Sequence, residues 1–190
     1  EESGYEDRNG DGVLEDKSGA PFEFKLTYFQ ANEDTKRIVL LLKDLYARAG
    51  VKLIPFPQEW PVMLENLEKK DFDAITLGWT SGIETDLYQA FHSSQAKSNG
   101  DNHISYKNTE FDKLIEEARR TVDEKKRMPL WQQAEKFLYE DQPYTFLMRR
   151  KSLLFVDKRI HNLQMTKLGL NLGSLPMENY VPITQQKYTQ

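Results

Sequence analysis

The sequence predicts an α/β fold with a mainly parallel sheet and helices on both of its faces. Over residues 22–79, segments of period-2 hydrophobicity alternate with segments of helical period. A parallel return needs a crossover of about a dozen residues or more, and the helical stretches supply it. An apolar share of 38%, with 12% aromatic, is enough to bury a core.

The elements follow in order. Phe22, Phe24, Leu26 and Tyr28 alternate with Glu23, Lys25 and Thr27, the pattern of a half-buried strand. Asn32 and Asp34 then precede Ile38, Leu41, Leu42, Leu45 and Tyr46 at helical spacing, with Gly50 as the cap. Val51 to Phe56 reads as a second strand, ended by Pro55 and Pro57. Trp60 to Leu67 supplies a short helix, and Phe72 to Trp79 a third, more buried strand. Glu84 to Phe91 reads as another short helix, and the polar run Gln95 to His103, with Gly100, as a surface loop. Phe111, Leu114, Ile115 and Ala118 form one helical stripe. Leu130, Trp131, Ala134, Phe137 and Leu138 form another after Pro129, closed by Gln142 and Pro143.

Tyr144 to Arg150 and Ser152 to Val156 read as strands separated by basic residues. Beyond them Asp157 to Gln190, with Gly169, Gly173, Pro176 and Pro182, reads as an extended segment that needs something to pack on. The domain reading is therefore a turn-rich segment over 1–21, an α/β lobe over 22–150 and a tail over 151–190.

Composition excludes several classes. Lys and Arg number 26 against 30 Asp and Glu, a net charge of -4, which lacks the cationic excess that nucleic-acid binding requires. The longest aliphatic run, Ile38 to Leu42, is far short of the ~18 apolar residues of a membrane helix. The absence of cysteine excludes disulfides, thiolate ligands and a cysteine nucleophile. The chain opens on Glu1 and Glu2 rather than on a basic, apolar leader, which reads as a mature chain or a cut piece.

Asp7, Asn9 and Asp11 occupy positions 1, 3 and 5 of a calcium-type loop, with Gly12 at 6, Val13 at 7 and Glu15 at 9. Position 12, where a bidentate acid belongs, is Ser18, so the loop reads equally as a turn that needs no ion. No cofactor is required. His92, His103 and His161 lack zinc-ligand spacing and read as surface or edge histidines. The Gly78 to Gly82 run misses the nucleophile-elbow pattern. Glu116/Glu117 and Asp123/Glu124 lie among Lys and Arg on helices, where solvated salt-bridge faces are the usual role. The strand-to-helix junctions Gln30 to Asp34 and Phe56 to Trp60 contain no glycine, which disfavours a phosphate loop. What remains is Gly78, Trp79, Thr80, Ser81 and Gly82 at the carboxyl end of the third strand, where α/β sheets hold their ligands.

Longer motifs point the same way. Asp7 to Leu14, Phe22 to Tyr28, Leu45 to Val51 and Lys70 to Ala74 come first, followed by Leu77 to Thr80, Asp86 to Ser93 and Tyr106 to Ile115. In that order they resemble the extracellular solute-binding proteins of the oligopeptide and dipeptide class that serve ABC importers, over about residues 4–150. The resemblance implies a periplasmic-binding-protein-like lobe, here the C-terminal part of a longer two-lobed protein whose tail crosses back to the missing N-terminal lobe. It implies capture of an oligopeptide or related small solute by lobe closure, handover to importer membrane subunits, and no enzymatic step. It also implies a periplasmic or extracellular location, with lipid anchoring through an absent N-terminus.

On this resemblance Trp79, Thr80, Ser81 and Gly82 form the cleft wall, and Asn102 and Tyr106 contribute from the neighbouring loop. Several peptide-binding members carry an Asp three residues after the Trp to receive the ligand ammonium, and here that position is Gly82. Glu84 or Asp86 are substitutes, although Asp86 reads as a helix cap. Two other classes stay open: a hydrolase with a carboxylate pair in the same cleft, and a calcium-stabilised interaction module at Asp7 to Glu15.

Overall fold

The structure, a computed structural model, describes residues 3–80, 86–149, 151, 153–166, 169–170 and 179–187. Strand β1 (Glu23–Phe29) is central, and β2 (Lys52–Gln58) and β3 (Ala74–Ile75) lie parallel on either side of it, in the order β2-β1-β3. Helices α1 (Glu33–Arg48) and α2 (Trp60–Lys69) make the two crossovers. The first crossover steps to one side of β1 and the second steps back past it, so right-handed connections put the two helices on opposite faces. Side chains agree with this. Leu26 and Tyr28 pack with Val39 of α1 and Leu53 of β2, whereas Phe29, of opposite parity, meets Trp60 of α2 with ring centroids 5.7 Å apart.

Helix α1 starts where expected. The Asn32 side chain accepts from the Thr35 N–H at 3.0 Å, a cap worth about 1 kcal/mol. Past its end Gly50 adopts φ +77°, and an added Cβ would strike the Leu14 side chain. That approach ties the N-terminal segment to the sheet, since the Leu14 N–H donates to the Gly50 carbonyl and the Phe22 N–H to the Leu14 carbonyl, both at 2.7 Å.

Two strand expectations need correction. Strand β2 does not stop at Pro55 but runs through Pro55 and Pro57 to Gln58. The Lys52 N–H donates to the Phe22 carbonyl and the Gln30 N–H to the Gln58 carbonyl, so even-numbered residues of β2 face β1. The odd-numbered prolines face the open edge, where a missing N–H loses no ladder bond and discourages further pairing. Strand β3 is shorter than Phe72 to Trp79. Its ladder comprises Ala74 and Ile75, the Thr76 N–H adds a bond to the Thr27 carbonyl, and the chain then leaves the sheet.

A second, helical half follows: α3 (Tyr88–Phe91), a 3-10 turn (Ser93–Gln95), α4 (Thr109–Arg120) and α5 (Glu124–Asp141). Phe111, Ile115 and Ala118 of α4 pack with Trp131, Ala134 and Leu138 of α5, and Phe91 closes one end. Each large apolar side chain so buried contributes about 1.5–3 kcal/mol. The Asn108 side chain caps α4 by accepting from Glu110 and Phe111 N–H groups at 3.1 Å. Helix α5 begins before Pro129, not after it. Asp123 caps it through the Lys125 N–H, and the helix runs through the proline, forgoing the one backbone bond that residue cannot donate.

Residues 144–149, 151 and 153–156 form no strand ladder, contrary to expectation, and Arg150 and Ser152 lie outside the described residues. Phe146, Leu147, Met148, Leu153, Leu154 and Phe155 are exposed, Phe155 to 95%. A strand needs an edge to pair with, and among the described residues none stands beside this segment. Farther on, β4 (Met165–Thr166) and β5 (Gly169–Leu170) pair antiparallel, and His161 bridges and stacks on Tyr180. Among the described residues no helix is long and apolar enough to cross a membrane.

Candidate functional site

Once the chain leaves β3 it carries Trp79 past the carboxyl end of the sheet. Its side chain is 52% exposed, with the indole near the Tyr144 hydroxyl. Burial raises the Tyr144 pKa above the ordinary phenol value, the neighbouring Trp79 opposes that shift, and the nearby Asp101 carboxylate adds to it. Tyr144 in turn packs its ring on Phe91 at 4.8 Å and lies 6.0 Å from Phe146. Trp79, Tyr144 and the exposed Phe146 thus continue one aromatic surface outward from the helical core. Thr80 is exposed beside Trp79, while Ser81, Gly82 and Glu84 lie outside the described residues.

The loop after the 3-10 turn is organised from within. Asn102 is 0% exposed. Its amide nitrogen donates to the carbonyls of Phe91 and His92 at 3.2 Å and of Tyr106 at 2.8 Å, and its oxygen accepts from the Tyr106 N–H at 2.9 Å. This polar run therefore folds around a buried amide rather than lying wholly on the surface, and Asn102 has no exposed side-chain surface to offer a ligand. Gly100 makes the turn possible, because a Cβ there would collide with the Gln95 carbonyl.

Tyr106 is half-buried, and its hydroxyl donates to Asp141 Oδ2 at 2.6 Å, where the Asn108 amide also donates at 3.0 Å. Burial and that carboxylate raise the phenol pKa, and the same two donors, Tyr106 first, lower the Asp141 pKa below the carboxylate range. A carboxylate depressed in the folded state adds stability above its unfolded pKa and loses it as pH falls through the folded one. Tyr106→Phe should therefore raise the Asp141 pKa, and its stability deficit should be full at neutral pH and shrink under acid. Carboxyl NMR titration with denaturation at both pH values checks it, and an unmoved Asp141 would refute the pairing.

His92 is not a surface histidine, being only 7% exposed. Its Nδ1 accepts from the Ser94 N–H at 3.0 Å, and its Nε2 lies 3.3 Å from Glu116 and 4.0 Å from Asp112. With Tyr88 stacked on it at 4.2 Å, it fastens the 3-10 turn to α4. Asp86 accepts from the Tyr88 N–H at the start of α3 and pairs with Arg119 at 3.4 Å, so its carboxylate is already engaged within the chain.

The N-terminal loop gathers Asp7, Asp11 and Glu15, whose carboxylate oxygens lie within 4.8 Å of one another. The loop also closes on itself. Asp7 accepts from the Gly10 and Gly12 N–H groups, Asp11 from that of Val13, and the buried Glu15 from Asn9 Nδ2 and the Arg8 N–H. Elsewhere among the described residues, the carboxylates of Asp16, Glu65, Asp141 and Asp157 are pushed downward by their hydrogen-bond donors. A general acid needs the opposite shift.

No protein-family model matches the chain. Oligopeptide-binding protein AppA of Bacillus subtilis is 38% identical over 148 residues, 77% of this chain and 27% of the relative. The solved structure of Bacillus subtilis AppA in complex with a nonapeptide superposes with a TM-score of 0.69 at 35% identity, over 75% of this chain and 28% of that one. The homologues of this chain are oligopeptide- and dipeptide-binding proteins. Among these peptide-binding homologues, Di/tripeptide-binding protein 1 of Pseudomonas aeruginosa is 26% identical over 74% of this chain and 26% of the relative. The chain thus spans about a quarter of the length of the curated relatives it matches. The named homologues are binding proteins rather than enzymes, and their match supports neither the hydrolase nor the calcium-module reading.

The sequence missed Tyr144, which it assigned to a strand, Asp101, which carries no motif, and the role of Lys70, which entered only as the first residue of the Lys70 to Ala74 motif. The only signal for Tyr144 was its position after the helix-ending Gln142 and Pro143.

Proposed function

We propose that this chain is the ligand-contacting C-terminal lobe of a solute-binding protein that captures peptides by closing two lobes and delivers them to an ABC importer. The observation that carries this reading is the half-exposed Trp79 at the carboxyl end of a parallel sheet, in a chain whose homologues bind peptides. Trp79 offers a stacking face, Thr80 and Ser81 offer hydroxyl and backbone hydrogen bonds, and Tyr106 and Asn102 support the adjoining loop, Asn102 from inside it.

Glycine at position 82 leaves no carboxylate there for a free peptide ammonium, which favours longer peptides held by backbone bonds and loose pockets. A nonapeptide complex in a solved relative supports that size class. The step is binding without covalent chemistry, so the protein is not an enzyme. We place the protein in the periplasm or outside the cell, a reading supported by one relative named a periplasmic oligopeptide-binding protein. The exposed Phe146, Leu147, Met148, Leu153, Leu154 and Phe155, and the tail beyond them, pack on the other lobe. The 7–15 loop acts as a self-closed turn that requires no calcium.

Native mass spectrometry of the full-length protein purified from its host should find retained peptides longer than three residues. Trp79→Ala should weaken their binding about tenfold or more, a loss of ~1.4 kcal/mol or more. Retention of a non-peptide solute, or unaltered affinity in the variant, would overturn the reading.

A further inference from the structure

The candidate wall is assembled from both halves of the molecule: Trp79 comes from the sheet half, and the 96–106 loop from the helical half. Their apolar clusters share no residue among those described. Between α2 and the loop lies an open depression of about 420 Å³, with Leu64, Leu67 and Glu68 on one bank and Lys97, Asn99 and Asp101 on the other. Apolar packing therefore does not set the spacing of the two halves along this line.

Lys70 crosses that gap. It follows α2 with φ 58° and ψ 34°, a left-handed position where glycine is the favoured residue and a side chain is mildly strained. From there its ammonium donates to the Ala96 carbonyl at 3.1 Å and to Ser105 Oγ at 2.5 Å. Ser105 is itself left-handed, at φ 57°. The two acceptors stand at opposite ends of the loop that Asn102 holds from within. One cation thus closes the loop mouth and fixes its distance from α2.

We infer that Lys70 is a positioning residue for ligand capture, a strut that holds the 96–105 loop at the spacing from Trp79 that a bound peptide requires. This deepens the peptide-binding reading and rests on it. The ammonium touches no ligand; it acts through the loop it spans. Methionine at this site keeps the stem and removes the donors, whereas arginine keeps charge and donors at similar reach.

The test compares Lys70→Met, Lys70→Arg and Ser105→Ala in the full-length protein, using as probe one nonapeptide selected from a random pool by the unaltered protein. Lys70→Met should weaken binding about five- to twentyfold, mainly through faster dissociation, with Tm within about 2 °C of the parent. Lys70→Arg should recover affinity to within about threefold, and Ser105→Ala should fall between them. Amide exchange over 96–105 should accelerate in Lys70→Met without peptide, while exchange in the α4 and α5 cores stays unchanged. Parental affinity in Lys70→Met, or no rescue by arginine, overturns the strut. A parent that selects no nonapeptide defeats the peptide reading instead, and the exchange comparison with its arginine rescue still decides whether Lys70 holds the loop.

Discussion

Asn102→Ala should lower the unfolding free energy by about 3–5 kcal/mol and loosen the loop from His92 to Tyr106. The side chain is fully buried and makes four hydrogen bonds, three to carbonyls and one from an N–H. Truncation strands the Phe91 and Tyr106 carbonyls and the Tyr106 N–H, while the His92 carbonyl keeps the Gln95 N–H, and a stranded buried group costs about 1–3 kcal/mol, partly relieved by relaxation. Asn102→Asp is the sharper variant, since an ionised carboxylate would set negative oxygen against three carbonyl oxygens. It should be at least as destabilising at neutral pH and recover partly in acid, where the protonated carboxyl donates one bond. Denaturant unfolding of both variants at two pH values measures this. If either variant keeps parental stability while the full-length protein loses its peptide, Asn102 meets the ligand directly and the clamp is wrong.

The second large effect separates this chain from the full-length protein. The isolated 190 residues should bind a nonapeptide at least about a thousandfold more weakly than the two-lobed protein, a difference of ~4 kcal/mol. A ligand is held by burying most of its surface, and one wall with a half-exposed tryptophan leaves the opposite face of the peptide in water. On the proposed two-lobe reading the other lobe covers Phe146, Met148, Leu153 and Phe155, which are exposed in this chain. The isolated chain should accordingly bind a hydrophobic dye that the two-lobed protein does not. Isothermal calorimetry decides the main point: micromolar binding by the isolated chain would show that one lobe suffices.

Much of the fold could be read before any coordinates. The alternation of Phe24, Leu26 and Tyr28, the Asn32 cap and the Phe111–Ile115–Ala118 stripe each place a side chain through local periodicity or capping, and each stands where expected. The errors share one cause. Pro55 and Pro57 were read as strand breakers because a sequence does not show which strand is an edge. The polar run 95–103 was read as surface because nothing local says that one amide of the run will turn inward and satisfy the backbone around it. Residues 144–156 have strand composition, but a strand exists only where another edge accepts it.

The site divides in the same way. The motif order and the small, aromatic Gly78 to Thr80 run placed Trp79 at the carboxyl end of a strand in a chain that resembles peptide-binding proteins, because backbone direction and composition are written locally. The tertiary structure decided which groups meet there: Tyr144 near the indole, Asn102 buried as a clamp, and Lys70 reaching 26 residues along the chain to Ala96. Those pairings depend on distances between elements far apart in sequence, and neither hydrophobic period nor residue spacing encodes such distances.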